Sequence, residues 1–213
     1  MTPFNFSIRT ALKQSWHSFA AHPAFFTSMA FVMVIFNLFT FTHNTTLTPQ
    51  HTVLLIVVFI AVILWSYVWI SVSLAAVDGK DDLLNYKSLS LHMPNVRQFF
   101  TMIVIGIAVG IIVGVGFVLL IIPGIYFLVR LAFATIAYVD RQNGVMQSLS
   151  YSWHLVKGKI FWTVFLVLMI AGILTVLGSI TLMIGLLITY PIAMLLIANL
   201  YRALTNSYKN GMV

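Results

Sequence analysis

Six long stretches of this chain carry almost no charge, and that feature leaves few structures open to it. They run from Ala24 to Thr42, Thr52 to Val77, Phe99 to Ile122, Gly124 to Val139, Ile160 to Gly178 and Thr181 to Leu200. At about 1.5 Å of helix rise per residue, such runs match a hydrocarbon layer about 30 Å thick. Hydrocarbon offers no hydrogen bonds, so every backbone N–H and C=O must be paired within the protein, in a helix or a closed barrel. Barrel strands need about ten residues of alternating polarity, whereas these runs are apolar on every side. The expected fold is an all-α integral membrane protein with six transmembrane helices. Composition agrees, with 61% hydrophobic and 7% charged residues against about 25% charged in a soluble domain.

Ten of the eleven Lys and Arg residues orient the spans. Arg9 and Lys13 precede the first span, and Lys80, Lys87 and Arg97 lie between the second and third. Arg141, Lys157 and Lys159 lie between the fourth and fifth, and Arg202 and Lys209 follow the sixth. The intervening connections, "HNTTLTPQH", Pro123-Gly124 and the turn near Ser179, hold none. Cytoplasmic loops carry the excess of Lys and Arg, so both termini are expected in the cytoplasm. The net charge of +7 then points to anionic lipid headgroups on the cytoplasmic leaflet. Nucleic acid is not an expected partner, because no basic folded face is available. The first apolar run is too long and too late for a cleaved signal peptide and is expected to remain. With no cysteine, disulfide and thiolate chemistry are excluded.

Two segments repeat. "ALKQSWHSFAAHPAFF" and "SLSYSWHLVKGKIFW" share Ser-Trp-His, at Ser15 to His17 and Ser152 to His154, with an aromatic nine residues after each tryptophan, Phe25 and Trp162. A third stretch, "SLSLHMPNVRQFF", occupies the corresponding place before the third span. Each reads as a short amphipathic helix leading into a hairpin of two spans. In the first, Ile8, Ala11, Leu12, Ser15, Trp16 and Phe19 share one face, while Arg9, Lys13 and His17 recur every fourth residue on another. In the last, Val145, Leu149, Trp153 and Val156 form the apolar face, with His154, Lys157 and Lys159 beside it. Such helices lie in the headgroup layer, tryptophan at the interface and cations toward phosphate. The expected architecture is one transmembrane domain, 1–213, of three elbow-plus-hairpin units, approximately 4–77, 86–139 and 145–204. Docking of a soluble partner on the elbows is the alternative.

Arg130 stands inside the fourth span, where an arginine costs about 2.5–3.5 kcal/mol and must face the bundle, a wet cavity or the interface. It lies about 9 Å of helix from the Pro123-Gly124 pair and about 15 Å from Asp140, too far for a direct ion pair on the same helix. Two readings stand: bonding to carbonyls and hydroxyls or snorkelling, and contact with an anion or lipid headgroup. Pro123-Gly124 reads as a tight turn. Gly106, Gly110 and Gly114 form a small-residue ladder for close helix packing, within the fold or across a dimer. Asn37, Ser66, Ser71, Ser73, Thr175 and Thr189 are polar residues of the kind that satisfy backbone or neighbouring helices.

The chain has no glutamate, and its aspartates, Asp78, Asp81, Asp82 and Asp140, all fall at expected cytoplasmic boundaries. Proton-coupled transport normally uses an acid within the membrane, and metal-assisted hydrolysis needs convergent carboxylates or histidines. His17, His22, His43, His51, His92 and His154 show no metal-ligand spacing. No cofactor and no catalytic or metal residue is expected.

"LLIIPGIYFLVRLAFATIAYVD" through "GVMQSLSYSWHLVKGKIFWTVF" resembles the YciC-like and glycerophosphoryl diester phosphodiesterase membrane-domain group of bacterial six-span proteins. The similarity lies in the turn Ile122 to Ile125, the helix-closing Asp140 and the elbow Gln147 to Trp162, with Ser148 in place of an alanine. The resemblance implies a multi-pass protein of the bacterial inner membrane. Some of that group carry a soluble phosphodiesterase barrel; no such barrel is expected here, nor its activity. The leading expectation is a non-enzymatic protein of lipid organisation, envelope maintenance or support of a membrane partner. The alternatives are a small transporter or channel for an uncharged or anionic solute, and an accessory subunit, with a second copy or another membrane protein as partner.

Overall fold

A computed structural model describes residues 6–42, 49–80, 82, 84, 86–180 and 185–210. The connections 43–48 and 181–184, Asp81, and the side chains of Asn37, His43 and His51 lie outside the described residues. Among the described residues the regular elements are helices, without strands: α1 (Ile8–Ala21), α2 (Pro23–Thr42), α3 (Pro49–Val77), α4 (Val96–Leu119), α5 (Ile121–Leu131), α6 (Ala134–Arg141), α7 (Val145–Leu155), α8 (Ile160–Ile180) and α9 (Leu186–Lys209). A 3-10 segment, Tyr86–His92, precedes α4. Five stretches are long and apolar enough to cross a membrane: Leu55–Val77, α4, α5 with α6, α8 and α9. A sixth counts if the bent pair of α1 and Pro23–Ile35, which meet at 96°, is one span. This is the make-up of a multi-pass membrane protein.

Local chemistry sets the helix ends. Ser7 caps α1, accepting the Thr10 N–H at 3.4 Å, and Pro23 opens α2, where its missing N–H costs no helical bond. Asn95 donates its N–H to Gln98 Oε1 at 2.7 Å before α4, and Gly144 does the same to Gln147 Oε1 at 3.2 Å before α7, each satisfying an orphan donor of a first turn. Gln142 ends α6 in the left-handed region, φ 55°. Its side-chain amide donates to Tyr67 Oη at 2.8 Å and accepts from Gln98 at 2.7 Å, tying α3, α4 and α6 together.

Three details differ from the expectations. The reversal between the third and fourth runs falls at Leu120, and Pro123 and Gly124 lie inside the first turn of α5. Proline is tolerated there because first-turn N–H groups have no helical acceptor. The second elbow is a seven-residue 3-10 segment rather than an amphipathic α-helix; Pro94, two residues beyond it, disfavours continuation. The ladder Gly106, Gly110 and Gly114 has no close partner among the described residues, since a Cβ at each would meet none of their atoms within 4 Å, which leaves packing across a dimer as the expectation that stands. Close packing belongs instead to Gly116 and Gly124, where a Cβ on Gly116 would lie 2.9 Å from the Gly124 Cα.

The three hairpins form an outer and an inner layer. In the outer arms α4 and α8, 17% and 22% of the apolar window is buried, against 44% in α9 and 44% in the α5–α6 span, so the latter two are inner. The main core joins α3, α6, α7, α8 and α9 through Tyr67, Phe133, Leu155, Val164, Leu196 and Tyr201. A second cluster joins the end of α1 to α2, α3 and α9 around Phe26 and Trp69. Outward faces expose Phe31, Ile56, Ile111 and Ile173 at 52–61%, which is ordinary where the surroundings are hydrocarbon. Each elbow sits on the second arm of the preceding hairpin: the 3-10 segment on α3, α7 on α6, and α1, closing the circle, on α9.

Candidate functional site

The site of interest is the set of elbows and the inner helix ends they touch. Arg130 is 9% exposed and buried against α7. Its Nη1 donates to the carbonyl of Val156, the residue that closes α7. Its Cζ lies 4.2 Å from the Trp153 ring centroid and 5.4 Å from that of Tyr126. A cation at a helix C-terminus meets the negative end of the macrodipole, and a desolvated guanidinium over an indole gains about 2 kcal/mol. Arg130 is therefore a clamp between α5 and the end of α7. Its Nε is buried without a hydrogen-bond partner among the described residues.

Ser152 repairs the break beneath that clamp. The span is interrupted between Leu131 and Ala134, so the ladder of helical bonds lapses there. The Ser152 hydroxyl donates to the Arg130 carbonyl at 2.8 Å and accepts the Phe133 N–H at 3.2 Å. One side chain thus satisfies two backbone groups that a broken helix would leave unpaired in a low-dielectric interior. The face of α7 that turns inward carries Ser148, Ser152 and Leu155, with Val156 behind them, whereas Val145, Leu149 and Trp153 are only half-buried. The expected apolar face is thus rotated toward the serines.

The first copy of the motif is used differently. Ser15 is fully buried; its hydroxyl donates to Ala11 O at 2.8 Å and accepts from Asn199 Nδ2 of α9 at 3.1 Å. Trp16, by contrast, is 54% exposed. His17 and the cations Arg9 and Lys13 are also exposed. His154, in the other copy, bonds its own helix at Ser150 O, 2.7 Å away. Lys157 and Lys159 are exposed between α7 and α8.

One cluster escaped the sequence reading. Arg202 of α9 donates to Asp140 Oδ1 at 2.6 Å and to Asp78 Oδ2 at 2.6 Å, joining the ends of α3, α6 and α9. Tyr201 donates to Asp140 Oδ2 at 2.9 Å. A signal was present: Leu74-Ala75-Ala76-Val77-Asp78, Ile136-Ala137-Tyr138-Val139-Asp140 and Ile197-Ala198-Asn199-Leu200-Tyr201 are three versions of one pattern. Its last position supplies two acids and one phenol, and Arg202 follows the third.

Four cavities are formed by described residues around these elements. One of about 500 Å³ between α5 and α8 is lined by apolar side chains such as Ile125, Leu128, Phe165 and Met169. Another, about 590 Å³, lies among α3, α4, α6 and α9 and includes Gly106, Met102, Ile136 and Ile197. A third, about 350 Å³, separates α2 from α8 and α9. The fourth, about 430 Å³, is polar and lies between α1, Val77 and Asn199. Arg130 lines none of the four. Among the described residues no group of three His, Asp or Glu side chains is placed to hold a metal ion. No family model, curated protein or solved structure matches this chain.

Proposed function

We propose that this chain is a non-enzymatic protein of the bacterial inner membrane that binds and organises lipid, with six spans and both termini in the cytoplasm. The observation that carries the reading is the confinement of Arg130. Its guanidinium closes α7 and is covered by Trp153 and Tyr126, so it offers no charge to a passing solute. The two larger cavities among the apolar stretches have apolar linings, a chemistry suited to acyl chains. The orientation rests on the contacts that gather the cationic helix ends: Arg202 with Asp78 and Asp140, Gln98 with Gln142, and Asn199 with Ser15. These bring Lys13, Lys80, Arg97 and Arg141 toward one end of the bundle, the end that a Lys and Arg excess assigns to the cytoplasm.

The facilitator reading draws support from the interruption of the α5–α6 span, since transporters place such breaks at their solute sites. Here two of the freed backbone groups, the Arg130 carbonyl and the Phe133 N–H, are taken up by Ser152, which favours a structural break over a solute site. Vesicle flux decides between the two. Purified protein in sealed liposomes is expected to pass no small anion or neutral solute above the protein-free rate, and wild-type flux abolished by Arg130→Ala would overturn the lipid reading. Because the chain contains no cysteine, Thr46→Cys and Lys159→Cys give clean labelling sites. They are expected to react from opposite sides of the membrane, and labelling of both from one side would refute the topology.

A further inference from the structure

We propose that the cavity between α1, the end of α3 and α9 binds a phosphate-bearing headgroup, with Lys13 as the cationic contact and His17 and Gln14 as hydrogen-bonding partners. This inference rests on the lipid reading above and assigns it a place in the fold.

The cavity, about 430 Å³, is lined by Thr10, Lys13, Gln14, His17, Ser18 and Asn199 around a single apolar residue, Val77. This polar, cationic lining contrasts with the apolar cavity between α5 and α8. Lys13, Gln14 and His17 are exposed on one side of α1 and make no hydrogen bond or ion pair with any described residue. Their donors are therefore available to a ligand, whereas the counterpart histidine in the other elbow is engaged with its own helix.

Charge balance selects an anion. The carboxylate that follows Val77, Asp78, is held by Arg202 at 2.6 Å and has Lys80 at 4.0 Å. Asp140 shares the same Arg202, so two acids and two bases compensate one another at the helix ends. Lys13 and, one turn before it, Arg9 are left without a described carboxylate partner. A phosphodiester brings the missing charge and oxygens that accept from ammonium, imidazole and amide donors.

Asn199 adds a second recognition element. Both of its side-chain N–H groups are committed, one to Ser15 Oγ at 3.1 Å and one to Leu195 O at 3.0 Å. That fixes the amide, and its Oδ1 is left as the acceptor for a hydroxyl or ammonium group on the ligand. The site therefore suits a headgroup that joins phosphate to a hydrogen-bond donor. A membrane phospholipid and a soluble phosphate compound share that chemistry, and the experiment separates them.

Wild-type protein and a Lys13→Gln/His17→Gln variant are reconstituted in nanodiscs of phosphatidylcholine containing phosphatidylglycerol, and retained phosphatidylglycerol is counted by native mass spectrometry. The double variant is expected to lose about fivefold or more in retention, Lys13→Arg to keep it, and Lys157→Gln/Lys159→Gln to leave this component unchanged. Inorganic phosphate is added in a parallel arm. Displacement of the retained lipid in wild type alone supports the site and admits soluble phosphates; no displacement supports the site and restricts it to lipid. Equal retention by wild type and the double variant overturns this site while the lipid reading stands. A wild-type protein that retains no phosphatidylglycerol and carries solute flux overturns the lipid reading itself.

Discussion

The two elbows α1 and α7 share Ser-Trp-His and put it to different uses. In α7 the serine stitches a broken span and the tryptophan roofs a buried arginine. In α1 the serine is equally buried, but the tryptophan is exposed and the histidine faces a polar cavity. The motif therefore specifies one thing in common, a small hydroxyl residue where an elbow meets an inner arm. What surrounds that serine decides whether the neighbouring residues serve the fold or the surface. α7 is internal scaffolding; α1 leaves its cations, Arg9 and Lys13, exposed.

The sharpest way to break this contrast is to remove the charge from each elbow's neighbourhood. Arg130→Ala is expected to cost about 3 kcal/mol, through the lost stack on Trp153 and an unsatisfied Val156 carbonyl. Lys13→Ala is expected to change stability by less than about 0.5 kcal/mol, as exposed substitutions do. Thermal unfolding of the purified protein in detergent compares them, and equal losses would erase the distinction. Arg130→Met should recover part of the loss, because an apolar chain of similar length avoids burying a cation.

The tryptophans come next. Trp153→Ala removes a half-buried ring in contact with Phe127 and Tyr126 and is expected to cost about 2–3 kcal/mol. Trp16→Ala should cost under about 1 kcal/mol in detergent and weaken association with anionic vesicles, measured by co-flotation. A smaller difference is expected between the serines. Ser152→Ala strands two backbone groups, at about 1–2 kcal/mol. Ser15→Ala should cost about half as much, since Asn199 keeps its bond to Leu195 O. Smallest of all, Gly110→Ala is expected to leave stability within about 0.5 kcal/mol, whereas Gly116→Ala should open the α4–α5 hairpin, because Gly124 backbone blocks the added carbon.

The helical class and the approximate places of the long apolar helices were legible because solvation by hydrocarbon constrains every residue of a run at once, whereas the last helix runs to Lys209, nine residues past the end of its apolar run. Which face turns inward was not. A helical wheel groups Val145, Leu149, Trp153 and Val156 on one apolar face of α7, yet only Val156 of these is buried, together with Ser148 and Ser152. When the outside is as apolar as the inside, hydrophobicity stops reporting burial, and small size and hydrogen-bonding need take over. The same reversal leaves Gly106, Gly110 and Gly114 facing outward and hands close contact to Gly116 and Gly124. The Pro123-Gly124 reading failed for a different reason: the pair suits a turn and a first helical turn equally, and only the extended Leu120 separates them. Arg202 was hidden by distance, its two acids lying 62 and 124 positions away along the chain.

The bond between Ser15 and Asn199 joins residues 184 positions apart, and this sets a schedule for biogenesis. At ribosomal rates of about 5–20 residues per second, α1 waits roughly 10–40 s for its seat on α9 to emerge. During that interval Ser15 lacks its Asn199 partner. A helix made 184 positions later thus completes the seat of α1, and a chain stalled before Asn199 would carry Lys13 without the pocket around it.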